Sequence, residues 1–202
     1  MPRYTITIEP GSLTSADEYA NLPDEPGWRT ELTNGRVVRM PAVKDLRHGW
    51  VIDNLVNALS PYVRRNKLGG ITYQQEGYDI TLPGDEGQTI WQPDLAFLRA
   101  GHIGTALQMI ARSEYVKLAP DLVVEVISPS QTRSEANSKA QRWLAAGTRL
   151  VWNIWIDAQQ VDVWQPDSPM HTLSIRSVLD GLEVVPDFTM PIADLFIWPA
   201  VE

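Results

Sequence analysis

The stretch Asp121-Leu122-Val123-Val124-Glu125-Val126-Ile127 decides how the rest of the chain is read. Apart from its two acids the run is aliphatic on both alternating faces, the pattern of a strand covered on two sides and hence of a sheet with helices packed against it. Glu125 shares one face with Val123 and Ile127. An unpaired carboxylate buried there costs several kcal/mol or takes up a proton, so something must offset it. An Arg or Lys across the sheet would do so, as would a divalent cation, and the strand by itself favours neither.

Downstream, Ser128-Pro129-Ser130 breaks the strand, and Thr132-Arg133-Ser134-Glu135 has the capping-box pattern that opens a helix. That helix is predicted over Arg133–Ala146, closed by Gly147. Leu150–Asp157 and Val161–Gln165 read as a strand pair across Ala158-Gln159-Gln160, and their Trp152, Trp155 and Trp164 suit core or interface better than base stacking. A strand at Leu173–Leu179, a turn at Asp180-Gly181 and the segment Val184–Phe196 follow. Upstream, Asn34-Gly35 between two strand-like runs predicts a hairpin over Trp28–Met40. Val51, Ile52, Leu55, Val56 and Leu59 predict a helix over His48–Arg65, with a kink or stop at Pro61. Ile71–Leu82 and Ile90–Leu98 read as a second hairpin around the turn formers Pro83–Gln88, and helical character is expected between His102 and Ala111. Strands alternating with helices predict an α/β fold.

At 202 residues, 44% apolar and 21% charged, the chain suits one domain spanning 1–202. It has no cysteine, which removes disulfides, thiolate zinc sites and cysteine nucleophiles, and leaves oxygen and imidazole as the good metal ligands, a set that would suit a hard cation such as Mg²⁺. Residues Met1–Pro10 lack the apolar core of a secretory signal, and no apolar run is long enough to cross a bilayer, so a cytoplasmic protein without membrane partners is expected by elimination. The net charge of −8 opposes non-specific coating of nucleic acid. Basic clusters at Lys44, Arg47, Arg64, Arg65 and Lys67 and at Arg133, Lys139, Arg142 and Arg149 soften that objection, although ordinary solvated faces account for most of them.

Two Pro-Asp dipeptides compete to supply a second ligand beside Glu125. Asp121 stands four residues away on the same strand, ~13 Å at ~3.3 Å per residue, too far for two ligands each ~2.1 Å from one Mg²⁺. Asp94, on a separate strand that could neighbour Glu125, has no such difficulty. Asp121 is then a turn-capping aspartate, a bland role that would also suit Asp94.

The runs Gln92-Pro93-Asp94-Leu95-Ala96-Phe97 and Ala119-Pro120-Asp121-Leu122-Val123-Val124-Glu125-Val126-Ile127-Ser128-Pro129-Ser130, then Lys139 four residues before Trp143, Ala146-Gly147 and Val151-Trp152, resemble the Uma family, a branch of the PD-(D/E)XK nuclease superfamily. The likeness extends from about Thr14 to Phe196 and takes in the Glu31–Gly35 hairpin and the His48 helix. It implies a restriction-endonuclease-like mixed central sheet flanked by helices, with additional β-hairpins. By this resemblance Asp94 and Glu125 are the motif's acids. Ile127 stands where the simple superfamily pattern has lysine, and Lys139 on the following helix takes that role. The implied chemistry is DNA phosphodiester hydrolysis with Mg²⁺ or Mn²⁺ held by Asp94, Glu125, a main-chain carbonyl near Val126 and waters. Glu31 is a candidate accessory ligand, against the blander reading of a solvated strand residue. His48 is a candidate phosphate contact, against that of a hydrogen-bonded histidine at the core edge. Two rivals remain: a non-catalytic homodimeric module built on the Val- and Trp-rich strands, and a metal-dependent hydrolase of another phosphorylated substrate.

Overall fold

The computed structural model describes residues 7–8, 13–42, 45–73, 77–112, 115–129 and 131–199. Most of the N-terminal run, Lys44 and Ser130, each interpreted above, lie outside them. The chain opens with β1 (Thr7–Ile8), α1 (Ala16–Ala20), β2 (Trp28–Thr33), β3 (Arg36–Pro41) and α2 (Leu46–Arg65). It continues through β4 (Gly69–Tyr73), β5 (Tyr78–Asp79), β6 (Ile90–Trp91), β7 (Leu95–Arg99), α3 (Ala100–Ile110), β8 (Leu122–Ile127) and α4 (Arg133–Ala145). The last elements are β9 (Leu150–Trp155), β10 (Gln160–Trp164), β11 (His171–Ser174), β12 (Val178–Asp180), β13 (Thr189–Pro191) and α5 (Ile192–Leu195).

Six strands form the central sheet in the order β11-β10-β9-β8-β7-β4. Its neighbours are antiparallel except β8 and β9, which run parallel with Glu125 opposite Asn153, so the sheet is mixed as expected. Every residue of β8 is buried, because alternate side chains enter two cores. Leu122, Val124 and Val126 pack with Val51, Leu55 and Leu59 of α2. Val123 packs on the other face with Ala106 of α3 and Ala140 and Trp143 of α4. Helices thus cover both faces. Among the described residues no helix is long and apolar enough to cross a membrane.

A second sheet, β1-β3-β2-β6-β5, contains the first hairpin. Asn34 and Gly35 both have positive φ, 50° and 69°, the left-handed pair that a two-residue turn of this kind requires. The tip is locked onto the loop before β6. Gly35 N–H donates to the Gln88 carbonyl at 2.7 Å and Asn34 N–H to Thr89 Oγ1 at 3.0 Å. A Cβ on Gly87 would come within 2.8 Å of the Gly35 Cα, so the two backbones touch where only glycine fits. From the other side, Arg142 of α4 holds the same loop through Asp85 Oδ1 at 3.1 Å and Thr89 Oγ1 at 3.1 Å.

Several expectations need correction. Ile71–Leu82 and Ile90–Leu98 do run antiparallel, but each divides between the sheets: β4 pairs with β7 and β5 with β6. The second break falls at Gln92-Pro93-Asp94, where proline cannot donate to a ladder. Pro61 does not stop α2, which runs on to Arg65. Burial of Leu55, Leu59 and Val63 on one face outweighs the single backbone hydrogen bond that proline removes. The strand expected over Leu173–Leu179 is two strands, β11 in the central sheet and β12 paired with β13.

Candidate active site

The register of β7 against β8 places Leu95 opposite Val124, so one residue further along Asp94 lies across from Glu125. Directly opposed residues of an antiparallel pair have Cβ atoms about 4.5–5.5 Å apart. Both acids are buried, with 8% and 7% of their surface exposed. Asp94 Oδ2 accepts the Val126 N–H at 2.8 Å, and His48 Nε2 from the first turn of α2 stands 3.3 Å from the same oxygen, outside good hydrogen-bond geometry. Arg29 Nη1 lies 3.4 Å from Asp94 Oδ1.

Glu125 Oε1 accepts from Trp143 Nε1 at 3.0 Å, and Lys139 Nζ lies 3.3 Å from its Oε2. Lys139 and Trp143 are four residues apart on α4 and therefore share the face that packs on β8. The ammonium also donates to Glu31 Oε1 at 2.8 Å and sits 5.4 Å from the centre of the Trp91 ring. Glu31 pairs with Val38 across the hairpin. It is not a solvated strand residue, however, being 6% exposed and bonded to the lysine.

The electrostatics follow from this crowding. Burial pushes the Glu125 carboxyl up to about 7, against the pull of Lys139 and with Asp94 and Glu31 adding to the rise. Burial would raise Asp94 too, but His48, Arg29 and the Val126 N–H outweigh it and hold that carboxyl below its ordinary value. Burial alone would lower Lys139, but Glu125 and Glu31 overcome it and keep the ammonium protonated.

Asp94, Glu125, Lys139, Glu31, His48 and the main chain of Val126 thus meet in one place. Asp121 does not join them. Its Oδ2 accepts the Arg99 N–H at 2.9 Å and stands 2.9 Å from His102 Nδ1, fastening the β7–α3 junction at the far end of β8. Two members of the cluster escaped the sequence reading, Arg29 and the indole N–H of Trp143. For Arg29 the signal was available: it shares with Glu31 the face of β2 opposite the buried Leu32.

Among the described residues no three His, Asp or Glu side chains form a ready metal cage. The donor set nonetheless fits a hard cation. Two opposed carboxylates supply oxygen, and Mg²⁺ commonly keeps several waters and takes only one or two carboxylates. Glu31, Asp94 and Glu125 also outnumber the permanent cations Lys139 and Arg29 that face them, the His48 imidazole being the one other group that approaches Asp94.

Comparison with known proteins agrees with this architecture. The family model Uma2, described as "Putative restriction endonuclease", matches residues 16–193. A crystal structure described as a putative nuclease belonging to DUF820 from Anabaena variabilis ATCC 29413 superposes with a TM-score of 0.71 at 20% identity, covering 90% of this chain and 97% of that one. No curated protein matches the chain.

Proposed function

The chain belongs to the Uma2 family, and we propose that it is a divalent-metal-dependent endonuclease that hydrolyses DNA phosphodiester bonds at the cluster around Asp94, Glu125 and Lys139. One observation carries this reading: three buried acids, Glu31, Asp94 and Glu125, face two permanent cations, Lys139 and Arg29, with the His48 imidazole as the one further group beside Asp94. A purely structural ion-pair network has no reason to leave that excess, since a carboxylate without full compensation opposes folding.

Asp94 and Glu125, with a main-chain carbonyl near Val126 and water, would hold Mg²⁺ or Mn²⁺. When bound, the ion polarises a phosphoryl oxygen and lowers the pKa of the attacking water. The rest falls to the protein's own side chains. Lys139, kept protonated by Glu125 and Glu31, supplies a positive hydrogen-bond donor for charge that develops on the phosphoryl oxygens. Trp143 fixes the Glu125 carboxylate by its indole N–H, and the Val126 N–H fixes Asp94. Glu31 aims the ammonium and His48 braces Asp94.

The test is nicking of supercoiled plasmid in Mn²⁺ by the parent, Glu125→Gln and Lys139→Ala. Loss of a group worth several kcal/mol to the transition state should slow nicking on the order of 10³-fold in each variant, with melting still cooperative. Nicking at the parental rate by either variant removes that residue from the chemistry.

A further inference from the structure

Arg29 and Glu31 sit two residues apart on β2 and so project from the same face of the hairpin towards the acids of the central sheet. They are not held alike. Glu31 is committed to Lys139 at 2.8 Å. Arg29 makes two long contacts, 3.4 Å to Asp94 Oδ1 and 3.3 Å to the Gln92 carbonyl. Charge-assisted bonds usually close to about 2.7–2.9 Å. Its side chain is 37% exposed beside an aspartate that is 8% exposed, so it stands at the solvent mouth of the cluster. The oxygen it faces also matters. Asp94 Oδ2 accepts from Val126, whereas Oδ1 has the guanidinium beside it. Of the two, Oδ1 is the oxygen without a close donor and so the one more open to a cation, Oδ2 being approached by both Val126 and His48.

We infer that Arg29 is an exchangeable counterion: it occupies Asp94 Oδ1 in the metal-free protein and, once a divalent cation takes that oxygen, turns its guanidinium to a non-bridging oxygen of the bound phosphodiester. This rests on the metal-dependent reading above and adds a substrate-binding residue to it. The planar guanidinium suits both positions, since it binds carboxylate and phosphate with the same pair of N–H groups.

The experiment reads binding rather than turnover. Mn²⁺ affinity is measured from the free-ion EPR signal in the full chain without DNA, for the parent, Asp94→Asn, Arg29→Gln and Arg29→Lys. Duplex affinity is then measured by fluorescence anisotropy at saturating Mn²⁺ across a salt series, in the Lys139→Ala background with and without each Arg29 substitution. Removing a positive charge beside the ion should tighten Mn²⁺ binding about tenfold in Arg29→Gln. The same substitution should weaken duplex binding about tenfold and flatten the log–log salt dependence by about 0.9, the loss of one phosphate contact. Arg29→Lys keeps the charge and should hold Mn²⁺ within about twofold of the parent while losing duplex affinity severalfold, because a flexible ammonium lacks the pre-organised planar donors of the guanidinium. It also serves as the deciding variant if Arg29→Gln melts early. Unchanged or weaker Mn²⁺ binding in Arg29→Gln, or unaltered duplex binding in both variants, overturns the inference. If the parent and Asp94→Asn bind Mn²⁺ equally, the metal reading of the pocket fails first and the role of Arg29 falls with it.

Discussion

Two buried carboxylates on the central sheet make an instructive pair. Asp162 of β10 is completely buried, and it is saturated. It accepts from Trp155 Nε1 at 2.7 Å, Arg133 Nη1 at 3.0 Å and Thr172 Oγ1 at 2.6 Å. The guanidinium of Arg133 also lies over the Trp155 ring, 4.6 Å from its centre. One acid has three donors of its own. Two strands away, Glu125 has the Trp143 indole N–H but shares Lys139 with Glu31, and beyond its backbone donor Asp94 has only the long approaches of His48 at 3.3 Å and Arg29 at 3.4 Å. Burial of a carboxylate therefore does not distinguish the two regions. The ratio of donors to acids does, and it separates a group that fastens α4 to the sheet from one that has unspent capacity to bind a cation.

The contrast can be challenged most forcefully at Asp162. Asp162→Ala leaves the Trp155 indole N–H and the Thr172 hydroxyl without their acceptor while the half-exposed Arg133 turns to solvent, and should cost about 3 kcal/mol in urea unfolding, whereas the rate of nicking per folded molecule stays at the parental value. A loss of activity without loss of stability would place Asp162 in the chemistry and collapse the distinction. Next in size is the pH response of Glu125. Its folded-state pKa of about 7 exceeds its ordinary value of 4.5, so between those values the folded chain binds more protons than the unfolded one and stability falls as pH rises. That contribution, on the order of 2 kcal/mol, should appear as a fall in Tm of roughly 5 °C from pH 5 to pH 8 in metal-free buffer. Glu125→Gln should flatten the profile, and an unchanged slope in that variant would assign the titration elsewhere. The smallest effect is expected at Thr172→Val, about 1.5 kcal/mol for one hydrogen bond to a charged acceptor. A negligible change in urea midpoint would mean that Asp162 is less dependent on its donors than the geometry indicates.

Much of this organisation was legible in the sequence, for reasons that differ from residue to residue. The doubly covered β8 was readable because period-two burial on both faces leaves an aliphatic run, and Glu125 stood out against it. The capping box at Thr132 and Glu135 and the Asn34-Gly35 turn are local chemistry and formed where expected. Division of the two middle strands between separate sheets was not readable, because it depends on which distant strand each half finds. The hydrogen-bonding partners of β5 and β6 lie in different elements from those of β4 and β7. Within the site, Asp94, Glu125 and Lys139 could be selected by geometry and resemblance. The burial of Glu31 depends on how one sheet docks on the other, which no local pattern encodes; Arg29 was readable only as the residue that shares the Glu31 face of β2. Asp162 gave little warning either, since a lone acid in a short strand reads as a surface residue until its three donors are seen.

The glycine contact between the hairpin tip and the loop before β6 has a consequence for how the pocket comes apart. The backbone contact of Gly35 with Gly87 is one of the fastenings of β2, together with its pairing to Ile90 and the Trp91 Nε1–Thr33 Oγ1 bond, that fix where Arg29 and Glu31 arrive. If these fastenings open together while β7 and β8 stay paired, the pocket is expected to dismantle as a local event before global denaturation. Hydrogen exchange at the Gly35 amide should then report the integrity of the pocket more directly than any amide within β8.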